Sequence, residues 1–99
     1  MAVYRITRFA AADMGKVGEF TEAMRTALEG LGADFIDLVS YGNGKGVVIA
    51  KYPDQAAFDA SSEKAGKLFD EMIDAGIVEK DSVHPHAGDV FNSFPRNAE

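Results

Sequence analysis

The sequence predicts an α+β domain: a four-stranded antiparallel sheet with two helices on one face. Three observations point there. Residues 33–52 read as two strands joined at Asn43-Gly44, a pair that tolerates the positive φ of a tight hairpin turn. One strand and one helix precede this hairpin, and one helix and one strand follow it. Neither face of the strands is plainly polar, so the second face of the sheet needs a cover as well as the first.

In chain order, residues 2–9 alternate as a strand, with Tyr4 and Ile6 on one face and Val3, Arg5, Thr7 and Phe9 on the other. Asp13 can cap a helix by accepting from an orphan amide. From Met14 to Glu29 the apolar period becomes helical: Val17, Phe20, Met24, Leu28 and Leu31 form one stripe, and charged residues lie opposite. Gly30 and Gly32 stop it. Gly42 and Gly46 flank the hairpin tip and leave room for a loop longer than two residues. Pro53 and Asp54 open a second helix that runs to about Ala75, with Phe58, Ala65, Leu68, Phe69, Met72 and Ile73 inward and Gly76 as its stop. Residues 77–82 connect, with a short extended piece at Ile77-Val78. Residues 89–94 alternate as a last strand, and Pro85 and Gly88 upstream suit an edge or a bulge.

The order strand, helix, strand, strand, helix, strand is the ferredoxin-like, split βαβ arrangement. Right-handed crossovers place the first and third strands in the centre. The most apolar face carries Tyr4, Ile6, Ile36, Leu38, Val48 and Ala50 and is expected to meet the helices. Val3, Arg5, Thr7, Phe35, Asp37, Val39, Tyr41, Val47, Ile49 and Lys51 then make the open face. Exposed, that face would be a larger apolar patch than monomers tolerate, so a second copy packed sheet to sheet is expected.

The 99 residues make one domain, 1–99, with one core. A formal net charge of −6 and a pI near 4.8 disfavour nucleic acid and anionic membranes as partners. The absence of cysteine excludes disulfides, thiolate metal sites and a cysteine nucleophile, and suits the cytoplasm. No apolar run approaches the roughly 20 residues of a membrane span, and the N-terminus reads as a strand rather than a signal peptide. Residues 95–99 read as a frayed tail.

The length, the single βαββαβ unit, the hairpin at Tyr41–Gly46 and the Tyr52-Pro53-Asp54-Gln55-Ala56-Ala57-Phe58 start of the second helix resemble the dimeric α+β barrel superfamily, over residues 2–94. The branches it resembles are the antibiotic-biosynthesis-monooxygenase-like and stress-responsive barrel proteins. The resemblance implies a homodimer. It further implies a small organic ligand between sheet and helices and, in some members, oxidation by O2 with no bound cofactor. Others degrade haem or isomerise lactones; the lack of tryptophan counts against the haem-degrading branch.

Several residues are candidates for chemistry. In His84-Pro85-His86 the two imidazoles lie two apart and share a side in an extended segment. With Asp89 they compose a two-His, one-carboxylate set, or one serves as a base near neutral pH; the simpler reading is a polar loop turned by Pro85. No metal or cofactor is expected. Arg5, Asp37 and Lys51 on the sheet–sheet face either fix the dimer register as ion pairs or form the polar end of a ligand cavity, a cation holding a carboxylate or enolate. Tyr41, Asn92 and Thr7 add hydrogen-bonding groups there. Gly42–Gly46 joins two strands, so it lacks the helix N-terminus of a phosphate loop.

Two functions compete. One is a cofactor-free monooxygenase or isomerase using Tyr41, His84 or His86 with Arg5 and Asp37. The other is a non-catalytic ligand-binding or stress-associated dimer. Whether the dimer encloses an apolar cavity of about 300 Å³ or more, reached by at least one ionisable side chain, separates them, and a filled barrel favours the second.

Overall fold

A computed structural model describes residues 2–95. The elements are β1 (Val3–Ala10), α1 (Met14–Ala23), α2 (Arg25–Glu29), β2 (Phe35–Gly42), β3 (Lys45–Tyr52), α3 (Gln55–Asp74) and β4 (His84–Asp89). The strands form one antiparallel sheet in the order β2-β3-β1-β4. The third and first strands are central, as expected.

Asp13 and Asp54 cap α1 and α3: their carboxylates accept from the amides of Gly15 (2.9 Å) and Ala57 (2.8 Å). The hairpin tip is a two-residue turn, with φ of 56° at Asn43 and 73° at Gly44. Both values require residues that accept the left-handed region. The register slips between Ser40 and Gly42, so Tyr41 is bulged out of the ladder and 62% exposed.

Three expectations are corrected. The first helix is broken at Met24 (φ −100°, ψ 17°) into α1 and α2. The Thr21 hydroxyl donates back to the Val17 carbonyl at 2.9 Å, and such back-bonding bends helices. The last strand is His84–Asp89 rather than 89–94, so Pro85 and Gly88 lie inside it. This is tolerated because β4 is an edge, paired only with β1.

The third correction concerns the faces of β1. Arg5 pairs with Ala50, and Thr7 with Val48, on the side that carries Ile36 and Leu38. Val3, Thr7 and Phe9 are buried beneath the helices, and the Arg5 side chain reaches α3. Tyr4 and Ile6 therefore turn to the open face, where Tyr4 packs edge-on against Phe35 at 6.2 Å between ring centres. The core under the helices is built on Phe9, Val17, Met72 and Val78, with Phe20, Val48 and Phe69 against it.

Candidate functional site

The helix side of the sheet presents two rows of residues. Ile36, Ala50 and Arg5 cross β2, β3 and β1 in one row, and Leu38, Val48 and Thr7 in the next. They floor an interior roofed by α1, α2 and α3, with Met24, Leu28, Leu68 and Met72 among its lining residues. The free space there is about 50 Å³, room for a few waters but not for a ligand. Outside it, an open groove of about 1140 Å³ runs between α1–α2 and β2. Thr21, Leu28, Ile36 and Leu38 line both spaces and form the partition between them.

Arg5 ends the row that begins at this partition. Its guanidinium lies 4.3 Å from the centre of the Phe58 ring and 5.3 Å from that of Tyr52, within cation–π range. It donates to the Tyr52 hydroxyl (3.0 Å), to Ser61 Oγ (3.3 Å), to Ser62 Oγ (2.7 Å) and to the Phe58 carbonyl (3.4 Å). Arg5 and Tyr52 are the ionisable side chains that line the interior; no carboxylate or imidazole joins them among the described residues.

The groove mouth is charged. Arg25 bridges the helix break, 2.6 Å from Glu22 on α1 and 3.3 Å from Glu29 on α2. The hydrogen bond from Arg25 holds the Glu22 carboxyl below its usual value. Glu19 and Asp34 also line the mouth.

The other candidates lie elsewhere. His84 and His86 are exposed on β4, on the open face, next to Arg8 and Ile6 respectively. They are strand residues rather than a loop, and Asp89 points to the opposite side from them. Among the described residues no three His, Asp or Glu side chains are placed so that they could hold a metal ion together. Asp37 and Lys51 are on the open face, as expected, but Arg5 and Thr7 are on the other side of the sheet from them. Tyr41 projects from the bulge. Asn92 follows β4 and is exposed, its Oδ1 accepting from the Ser93 amide.

Tyr52, Ser61 and Ser62 were not expected. The alternation of β3 could have placed Tyr52 beside Ala50 and Val48, since it is the next residue on that face. The two serines sit on a helix and gave no signal of their own.

No protein-family model matches the sequence, and no curated protein does. Solved structures match along nearly the whole chain. SnoaB, a cofactor-independent oxygenase from Streptomyces nogalater, superposes with a TM-score of 0.74 at 14% identity, covering 96% of this chain and 98% of its own. A dimeric ferredoxin-like protein from an uncultured marine organism gives 0.66 at 14% identity, with 97% and 93% covered. Rv0793 from Mycobacterium tuberculosis gives 0.63 at 16% identity, with 94% and 98% covered. The chain has the ferredoxin-like α+β fold. Its structural neighbours are those of the dimeric α+β barrel resemblance. Within this ferredoxin-like frame the two sides of the sheet have separate characters. The helix side holds an apolar interior ending at Arg5, and the open side holds a bare apolar face edged by His84, His86 and Asp37.

Proposed function

We propose that this protein is a homodimer that takes a small organic molecule into the interior between sheet and helices and oxidises it with O2 without a bound cofactor. The observation that carries this reading is that the wide groove abuts an apolar interior ending at one cation, Arg5, across a partition of Thr21, Leu28, Ile36 and Leu38. The closed interior, about 50 Å³, has no room for the ligand, so in this reading the ligand enters by displacing that partition and merging the two spaces. The likeness to a cofactor-independent oxygenase supports the choice of reaction. Among the described residues the lining supplies no carboxylate or imidazole base, so in this reading the substrate enters already ionised or loses its proton to water. Asp37, Lys51, His84, His86 and Tyr41 belong in this reading to the contact between two open faces. Among the described residues no helix is long and apolar enough to cross a membrane, and cytoplasmic residence is part of the proposal.

The test is oxygen uptake with a panel of small phenols and hydroquinones in metal-free buffer, beside native mass spectrometry of freshly purified protein. Enzyme-dependent uptake above autoxidation is expected for at least one compound. The interior of about 50 Å³, well short of the roughly 300 Å³ that a ligand cavity needs, and the lack of an internal base among the described residues favour a second reading, a non-catalytic ligand-binding or stress-associated dimer. A retained small molecule, with no uptake from it or its relatives, establishes that alternative.

A further inference from the structure

Arg5 carries a half-buried charge that the described protein does not neutralise. Its hydrogen-bond partners are three hydroxyls and one carbonyl, all neutral, and no carboxylate pairs with it among the described residues. The chain has 16 acidic residues against 10 Lys and Arg, so acids were abundant and none is placed there. A half-buried guanidinium satisfied only by dipoles and ring faces keeps its field, and an anion placed against it gains more than it would in water.

The hydroxyls around it differ in what they have left to give. Ser61 and Ser62 each donate to the Phe58 carbonyl, at 2.9 and 3.0 Å, so their protons are spent. Tyr52 is 1% exposed and accepts from Arg5, but no described acceptor takes its own proton. A buried hydroxyl normally uses that proton. An acceptor oxygen set beside Arg5 and Tyr52 would receive both a guanidinium N–H and the phenol O–H. Ala50 lies between Ile36 at the partition and Arg5, two strand spacings, about 10 Å, of floor with only a methyl group on it.

We infer that Arg5 and Tyr52 form an oxyanion subsite, and that the ligand is a flat apolar molecule bearing a carboxylate or an ionised phenol or enol oxygen. This rests on the proposed reading that the interior becomes the ligand site once the partition at Leu28 is displaced, since the closed interior holds only about 50 Å³. The apolar body lies over Ala50 and Val48, and the oxyanion meets Arg5 and Tyr52. Glu19, Glu22, Glu29 and Asp34 at the mouth outnumber Arg25 and repel small hydrophilic anions. The site therefore selects an anion whose apolar body outweighs that repulsion.

The test uses 2-naphthoate, 2-naphthol and neutral 2-naphthamide as probes, with dissociation constants from titration calorimetry. At least one of the two oxygen acids is expected to bind about tenfold or more tighter than the amide, the size of a hydrogen bond to a charged group. Which acid does so separates a carboxylate from a phenol or enol ligand. Arg5→Met should abolish that preference while leaving amide binding in place. Tyr52→Phe, which keeps the ring and its packing, should reduce the preference several-fold and serves if the Arg5 variant does not fold. Equal binding of acids and amide, or a preference unchanged in Tyr52→Phe and Arg5→Met, overturns the oxyanion subsite alone. Failure of all three probes to bind overturns it together with the interior-site reading.

Discussion

At the residue scale, the hairpin turn is fixed by a close approach as well as by conformation. The Gly44 carbonyl accepts from the Ala11 amide at 2.7 Å, and a Cβ on Gly44 would fall 2.5 Å from the Ala11 carbonyl oxygen. Gly44→Ala combines that clash with a φ of 73° and should cost about 1–3 kcal/mol, read as a lower urea midpoint at unchanged slope. The Asn43-Gly44 dipeptide made the turn legible from sequence, because positive φ restricts residue choice. The side of Arg5 was not legible in the same way. Sorting β1 by hydrophobicity alone favours Tyr4 and Ile6 as the inward pair, since Arg5 and Thr7 look like outward residues. The inward set is anchored instead by Val3 and Phe9 at its two ends. The charge between them is tolerated because two ring faces and three hydroxyls receive it, and those groups come from β3 and α3, far away in sequence.

At the element scale, the break at Met24 sets how the groove meets the interior. Helix α2 has five residues and none of them is buried, so tertiary contacts hold it weakly. Arg25 ties it to α1 through Glu22. The folded-state pKa of Glu22 lies below its unfolded value of 4.5, so the contribution of this pair is present above that pH and is lost as pH falls through the lowered value. Amide exchange in residues 22–29, corrected for its intrinsic pH dependence, should rise across that acid range in the natural protein and be flat in Arg25→Ala. Leu28 stands in the partition. Leu28→Ala should join groove and interior, speeding association of the naphthyl probes by stopped flow. The loss of stability should stay near the low end of the 2–5 kcal/mol range for large-to-small core changes, because Leu28 is only half-buried. Slower association would show that Leu28 is a contact and not a barrier. The periodicity of residues 14–29 revealed a helix but not its break, since back-bonding by Thr21 depends on a rotamer that sequence does not specify. The shifted β4 has a similar origin. Pro85 and Gly88 read as punctuation, whereas an edge strand with one neighbour absorbs both, and the alternation of Val90–Phe94 belongs to a segment beyond the sheet.

At the scale of the whole molecule, the open face carries a pattern that would determine how two copies fit in the proposed dimer. Its rows read Gly88, Tyr4, Lys51, Phe35; then His86, Ile6, Ile49, Asp37; then His84, Arg8, Val47, Val39, each from β4 across to β2. Ile6 and Val39 are 40% and 41% exposed, and Phe91 beyond β4 is 99% exposed, so apolar area remains to be covered. A two-fold axis across the strands would set His86 over its own copy and Asp37 over its own copy. An axis along the strands sets His86 over the partner's Asp37, and Ile6 over the partner's Ile49, on both sides of the axis. The second arrangement pairs an imidazole N–H with a carboxylate at each end of an apolar centre. It also lays each β4 edge near the partner's β2 edge, the two edges that lack a neighbour within one sheet. The chain has no cysteine, so a double variant His86→Cys, Asp37→Cys reports the geometry directly. Within one protomer these positions are three strand spacings apart, about 14 Å, beyond a short bismaleimide. The double variant should cross-link to a dimer of about twice 10.6 kDa, and neither single variant should. Cross-linking of the His86→Cys single variant instead would place the axis across the strands, and sedimentation of the natural protein as a 10.6 kDa species at micromolar concentration would remove the dimer itself.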